Sequence, residues 1–126
     1  MQVLLTDEFR TSMTRLKNIK TRQEVISLLE KVTSGWRQFK EKKKAIDQHD
    51  DRLCWQVVEQ YKVKEQLVMV WSVDLLLESA FEVQVLKVWD VLESSQIPKL
   101  ANRLDQVIKK YTVDKMDRCK YQSMEG

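Results

Sequence analysis

The middle third of the chain alternates apolar and polar residues, which is the pattern of β-strands with one buried face. The clearest run is residues 81–95, FEVQVLKVWDVLESS, where every second residue is apolar apart from one lysine: Phe81, Val83, Val85, Lys87, Trp89 and Val91. Two earlier runs share the pattern and comprise Leu53, Trp55, Val57, Tyr61 and Val63, and then Leu67, Met69, Trp71 and Val73. With connections at 64–66 and 75–80, they predict three antiparallel strands.

The N-terminal part of the chain predicts a strand and a helical hairpin. MQVLL is short and apolar, and Thr6 or Asp7 can cap the helix that follows, whose apolar stripe comprises Phe9, Met13 and Leu16. Residues 21–24, TRQE, form a capping box, so we expect a second helix to begin there. Gly35 then occupies the position of a left-handed C-terminal cap.

The clearest helical pattern follows the last strand. Ser94 and Ser95 favour a helix start, and Pro98 is tolerated in a first turn that has no amide bond to lose. Seven apolar residues then share one helix face: Ile97, Leu100, Ala101, Leu104, Val107, Ile108 and Tyr111. The order strand, helical hairpin, three-stranded antiparallel sheet and C-terminal helix predicts one α+β domain over residues 1–111, followed by a C-terminal tail over 112–126.

The composition is that of a globular domain and excludes several functional classes. Hydrophobic residues make up 43% and charged residues 33% of the chain, and no apolar stretch approaches the roughly 20 residues that span a bilayer. Gly35 and Gly126 are the only glycines, which excludes a phosphate-binding glycine loop. Cys54 and Cys119 lack CxxC spacing and indicate a reducing compartment without a structural metal.

We expect a cytoplasmic protein without a cofactor. A mitochondrial location is the alternative, because the cations of residues 10–22 faintly resemble a presequence, although Asp7 and Glu8 argue against it. The sequence predicts no signal peptide.

Positive charge is concentrated at the N-terminal end. Residues 1–44 carry a net charge of +6, whereas residues 65–93 carry −5. This asymmetry favours an oppositely charged protein partner, and the candidate partner-binding residues are Lys40, Lys42, Lys43, Lys44, Arg103 and Lys110. The overall net charge of +3 is too small to indicate nucleic-acid binding.

The sequence predicts no catalytic residue. His49 is the only histidine, and no motif places a nucleophile beside it. The four tryptophans could stack on nucleobases, but three lie at alternating strand positions, which favours core packing. Lys87 lies among apolar residues, so its ammonium group must reach solvent or pair with a carboxylate.

Several short segments of the sequence resemble a known protein family. SGWR at 34–37, QVLKVWDVL at 84–92 and IPKLANRLD at 97–105, with shorter matches at 9–12, 21–29 and 111–112, resemble a segment of the very large plant UvrD-like helicases, which are often described as TPR and ankyrin repeat-containing proteins. The resemblance covers nearly the whole chain. Because the helicase motor motifs are absent, it implies a free-standing accessory module and not an ATPase. Such free-standing copies are similar to the killer protein of plant toxin–antidote pairs, which an antidote restrains by direct binding.

The predicted order of elements also resembles the bacterial RelE/ParE toxin fold. RelE-type members are ribosome-dependent ribonucleases that use several cations on the sheet, and this resemblance implies a basic site at Lys62, Lys64 and Lys87, with Tyr61 or Tyr111 beside it. ParE-type members act by binding a protein, which suits the few cations of this chain better.

Three functional hypotheses follow. The leading one is a non-enzymatic protein-binding domain, a cytotoxic toxin neutralised by an antidote, that binds through a strand edge or an amphipathic helix face. The second is a RelE-like ribosome-dependent ribonuclease. The third is a self-associating accessory module of a helicase-like protein that forms a homodimer.

Overall fold

The computed structural model describes residues 2–38 and 52–124, and within them the chain forms four strands and four α-helices. In chain order these are β1 (Gln2–Leu5), α1 (Asp7–Arg15), α2 (Ile19–Thr33), β2 (Val58–Lys64), β3 (Leu67–Glu78), β4 (Phe81–Glu93), α3 (Ile97–Ile108) and α4 (Val113–Met124). The sheet order is β1-β4-β3-β2, with β1 parallel to β4 and the other pairs antiparallel. The predicted α+β class is confirmed. None of the helices in the described ranges is long and apolar enough to cross a membrane.

Helices cover both faces of the sheet. On one face, α1 and α2 pack against a core cluster that includes Phe9, Val25, Leu28, Met69, Trp71 and Val88. On the other face, α3 and α4 pack against a second cluster that includes Val58, Val70, Trp89, Leu104, Ile108 and Cys119. The central strands β3 and β4 are therefore buried on both faces, and the prediction of strands with a single buried face is wrong for them.

A β-bulge in β4 places residues on opposite faces of the sheet that alternation predicts on the same face. The pairing of β3 with β4 shifts by one residue at Trp71, which leaves Trp89 outside the ladder. Val91 consequently lies with Val88 on the α1–α2 side, whereas Trp89 lies on the α3–α4 side. At the other end of the strand, the Phe81 side chain is 76% exposed. The predicted common face is wrong because a bulge inverts the alternation that follows it.

Two strand boundaries differ from the prediction. Leu53–Gln56 form a 3-10 turn, so β2 begins only at Val58. β3 continues to Glu78 where a connection over 75–80 was expected. A two-residue turn suffices there, because Ser79 and Ala80 adopt left-handed backbone angles with φ of 50° and 70°.

The helix starts are set by residues that satisfy free amides. Thr6 caps α1 as predicted, because its hydroxyl accepts a 3.1 Å hydrogen bond from the Phe9 N–H. α2 begins at Ile19, not in the TRQE segment, because the Asn18 side chain accepts from the N–H groups of Lys20 and Thr21. The predicted capping box is therefore wrong.

The remaining helix ends follow the expected chemistry in part. Gly35 has a φ of 101° just after α2, which confirms the left-handed cap. Ser94 lies in a 3-10 turn before α3, and its hydroxyl bonds to the Gln66 side chain instead of capping the helix. Residues 112–126, assigned to a tail in the sequence, contain α4, whose Cys119 is fully buried.

Candidate functional site

A cleft opens at one edge of the sheet, between α1 and α3. β1 pairs only with residues 85–88 of β4, so β4 continues beyond its neighbour. Thr6 attaches the start of α1 to this edge, because its hydroxyl donates a 2.7 Å hydrogen bond to the Trp89 carbonyl. α3 reaches the same edge from the opposite face, and Trp89 packs in the core cluster of that face. The resulting α1–α3 cleft has a volume of about 460 Å³.

The polar lining of the α1–α3 cleft is mainly cationic. It comprises Ser12 and Arg15 from α1, Asp90 from β4, Gln96, and Lys99 and Arg103 from α3. The three cationic side chains belong to exposed residues, and none of them forms an ion pair with another described residue. Leu92 and Leu100 supply apolar surface. The cleft can therefore receive a group that is both anionic and partly apolar.

Asp90 is the one acid in this lining, and its carboxylate is already bonded. It is 8% exposed and accepts hydrogen bonds from the Ser12 hydroxyl at 2.6 Å and from the Val91 N–H at 2.8 Å. An adjoining cavity of about 240 Å³ is lined by Asp7 and Glu8 as well as by Arg15. The surface is therefore polarised, with acids at the start of α1 and cations at its end and along α3.

A second concave surface, the α2–β2 groove, lies beside the edge strand β2. Its volume is about 510 Å³, and its lining includes Lys20, Lys31, Trp36, Gln38 and Lys62. Trp36 is 43% exposed, and the Lys31 ammonium lies 5.6 Å from the centroid of its ring. This groove combines cations with an accessible aromatic ring.

The SGWR segment (residues 34–37) and Gln38 attach the end of α2 to β2 and β3. The Trp36 ring meets Tyr61 edge-on, with centroids 6.1 Å apart. The Arg37 guanidinium lies 5.0 Å from the Trp71 ring centroid and donates to the Val32 carbonyl. Gln38 then bonds to the β2 backbone. The SGWR segment therefore has a structural role in this chain.

Trp71 and Trp89 pack in the core from strand positions, as predicted, whereas Trp55 lies in the 3-10 turn before β2. Trp71 is fully buried, Trp89 is 8% exposed, and Trp55 is partly buried against the second cluster. Trp89 also donates a buried 2.9 Å hydrogen bond to the Ser72 hydroxyl. Trp36 is the most exposed of the four tryptophans, at 43%.

The structure separates Lys87 from the other two lysines of the nuclease-like basic site. The Lys64 ammonium lies 4.0 Å from the Glu24 carboxylate on α2. The Lys87 ammonium lies 3.9 Å from the centroid of the Trp89 ring on the α3–α4 side, and burial lowers the pKa of Lys87. Lys87 pairs with Ser72 of β3, which pairs with Val58 of β2. Lys62 lies four residues beyond Val58, which is about 13 Å along the strand. Lys62 and Lys64 are neighbours beside α2, but the fold does not bring Lys87 to them.

The two tyrosines suggested beside that site are occupied by other contacts. Tyr61 is 2% exposed, and burial raises its pKa. The Tyr111 hydroxyl donates to the Asp74 carboxylate, and burial together with this hydrogen bond raises its pKa well above the ordinary value.

The predicted partner-binding residues are divided by the structure. Arg103 lines the α1–α3 cleft, whereas Lys110 is exposed beyond the end of α3. Lys40, Lys42, Lys43 and Lys44, together with His49, lie outside the described residues.

Sequence reasoning missed Arg15 and Lys99. The spacing of Lys99 and Arg103, four residues apart on a helix, was an available signal that both share one face. The contribution of Arg15 had no local signal, because α1 and α3 meet only in the folded chain.

Comparison with known proteins adds no assignment. No protein-family model matches the chain, and neither the curated proteins nor the solved structures give a significant match. Within residues 2–38 and 52–124, no group of three or more His, Cys, Asp or Glu side chains could hold a metal ion.

Proposed function

We propose that this chain is a non-enzymatic protein-binding domain that recognises an acidic segment of a partner protein in the α1–α3 cleft. The observation that supports this most directly is the convergence of Arg15, Lys99 and Arg103 on one concave surface, without ion pairs to other described residues. Cations that converge in this way attract and orient an anionic partner.

The remaining lining favours a polypeptide ligand. Leu92 and Leu100 provide apolar surface beside the cations, which suits an acidic segment that also carries an apolar side chain. The Ser12 hydroxyl is hydrogen-bonded to Asp90, and the described lining contains no histidine or cysteine that could complete a nucleophilic pair. Recognition is therefore better supported than catalysis.

The sequence resemblance supports a more specific form of the proposal. The sequence resembles the killer protein of plant toxin–antidote pairs, so we infer that the chain is a cytotoxin that acts by binding a protein and is restrained by an antidote. The RelE/ParE-like order of strand, helical hairpin, antiparallel strands and helix is compatible with a toxin of the protein-binding, ParE-like type.

The RelE-like ribonuclease receives less support from the geometry. Lys62 and Lys64 lie beside α2, whereas Lys87 lies on the α3–α4 side of the sheet, so the three do not form one site that could stabilise a cleaved phosphate. A ribosome-containing translation assay separates the two functions, since the protein-binding proposal expects intact RNA and the ribonuclease expects cleaved messages.

A charge-reversal variant with a matched control tests the proposal. Arg15→Glu with Arg103→Glu reverses two cations of the cleft. Arg10→Glu with Lys109→Glu makes the same charge change at exposed positions of α1 and the α3 end, outside the cleft lining. Each protein is expressed from an inducible promoter in plant cells, with growth and the set of co-purified proteins as readouts.

We expect the wild type and the control to arrest growth and to retain the same partner, and the cleft variant to lose both. The affinity for that partner should fall at least about tenfold, and should weaken with added salt in the wild type. Harmless accumulation of the wild type, with no protein retained above background, would overturn the proposal. Equal retention by the cleft variant would remove the cleft as the contact surface.

A further inference from the structure

We propose that the outer edge of β2 accepts an extended acidic strand from a partner protein, and that the Gln38 side chain occupies this edge when no strand is bound. The surface is the α2–β2 groove. It lies apart from the α1–α3 cleft, and the inference does not depend on that cleft.

The Gln38 side chain pairs with the backbone of Lys62 as a residue of a neighbouring strand would. The Lys62 N–H donates to Gln38 Oε1 at 2.8 Å, and Gln38 Nε2 donates to the Lys62 carbonyl at 2.9 Å. A residue of an antiparallel neighbouring strand makes the same reciprocal pair with its partner. The Gln38 carboxamide therefore takes the place of one residue of an added strand.

β2 lies at an edge of the sheet. β2 is the last strand in the order β1-β4-β3-β2, and among the described residues no strand pairs with its outer edge. Because backbone groups alternate between the two edges of a strand, those of Gln60 point to the same edge as those of Lys62. An edge of this kind is a template for another strand.

The lining of the α2–β2 groove is mainly cationic. Lys20, Lys31 and Lys62 line it, and its only acidic lining residue, Glu24, is paired with Lys64 at 4.0 Å. The groove therefore favours an acidic segment. The exposed Trp36 ring offers a surface for one aromatic or apolar side chain of that segment. The backbone pair requires a polypeptide, which separates this ligand from a nucleic acid.

The probe is a fluorescein-labelled synthetic peptide that alternates glutamate with threonine and carries one phenylalanine. Its affinity for the full chain is measured by fluorescence anisotropy. Two matched peptides serve as controls, one with lysine in place of glutamate and one N-methylated at every backbone amide, which keeps the charge but removes the N–H donors on both edges of the peptide.

Gln38→Ala should tighten binding of the acidic peptide about threefold to tenfold, because the peptide no longer displaces a competing hydrogen-bonded side chain. Lys31→Glu with Lys62→Glu should weaken binding at least about tenfold, whereas Arg10→Glu with Lys109→Glu should leave it within about twofold. Arg15→Glu with Arg103→Glu should also leave it unchanged, which distinguishes this inference from the proposed function.

Three results would overturn the inference. Equal binding of the acidic peptide and its fully N-methylated form would reduce the interaction to attraction between charges. Unchanged or weaker binding by Gln38→Ala would show that Gln38 does not compete for the edge. Concentration-dependent dimerisation of Gln38→Ala in light scattering, without peptide binding, would assign the edge to a second copy of the chain.

Discussion

The Tyr111 hydroxyl donates a 2.7 Å hydrogen bond to the Asp74 carboxylate, which attaches the segment between α3 and α4 to strand β3. Lys115 of α4 lies 3.6 Å from the other oxygen of the same carboxylate and 4.0 Å from the centroid of the Tyr111 ring. Asp74 is only 6% exposed, so these partners, and not solvent, provide most of the contacts to its carboxylate oxygens. The Asp74 carboxylate on β3 therefore attaches both the α3–α4 connection and α4 to the sheet.

Replacing this tyrosine should weaken the fold. Tyr111→Phe keeps the ring beside Lys115 but removes a hydrogen bond to a buried carboxylate, so the free energy of unfolding should fall by about 1–3 kcal/mol in urea denaturation. A double-mutant cycle with Asp74→Asn isolates the pair. Additive effects of the two substitutions would show that the hydrogen bond contributes nothing.

The thiol of Cys119 should make stability fall at alkaline pH. Burial, followed by the nearby Asp74 charge, raises the pKa of Cys119 from its ordinary 9.0 to about 11. The folded state therefore holds this proton more tightly than the unfolded state, so its contribution is complete below pH 9 and is lost as the pH rises towards about 11. The raised pKa of Tyr111 acts in the same direction at higher pH, whereas the lowered pKa of Lys87 acts in the opposite direction.

The test is urea unfolding of wild type and Cys119→Ala over this pH range. The wild type should lose more stability between pH 9 and about 11 than the variant does, because the variant has no thiol to titrate. Parallel pH profiles of the two proteins would contradict the assignment.

The buried hydrogen bond between Trp89 and Ser72 should stabilise the centre of the sheet. Ser72→Ala leaves the Trp89 indole N–H without its acceptor in a site where both residues are at most 8% exposed. The free energy of unfolding should therefore fall by about 1–3 kcal/mol. Ser27→Ala, at an exposed position of α2, serves as the control and should change stability by less than about 0.5 kcal/mol. Equal effects of the two substitutions would exclude a special role for the bond.

The periodic parts of the fold could be predicted from the sequence because their signals are local. Leu67, Met69, Trp71 and Val73 share the α1–α2 side of β3 as alternation predicts. The bulge at Trp89 could not be predicted, because it depends on the register with β3 and not on residues beside it. Once the register shifts, Val91 and Trp89 take opposite faces despite their matching positions in the pattern.

The candidate cleft depends even more on contacts between distant residues. Ser12 and Asp90 are 78 positions apart in the chain, yet their side chains form a 2.6 Å hydrogen bond in it. Arg103 was predicted from charge and helix face, but the convergence of Arg15 with it requires α1 and α3 to meet at the β4 edge. Composition and periodicity carry no information on that meeting.

Gly35 should be the residue on which the Gln38–Lys62 pair depends most. Its φ of 101° directs the chain from the end of α2 towards β2, and a Cβ is strained at this angle. Gly35→Ala should therefore lower the free energy of unfolding by about 1–3 kcal/mol. It should also speed hydrogen exchange of the Lys62 amide, which Gln38 protects. Ser34→Ala, one position earlier, keeps the glycine and should leave that exchange rate close to the wild-type value. An unchanged Lys62 exchange rate in Gly35→Ala would mean that Gln38 reaches β2 without help from this turn.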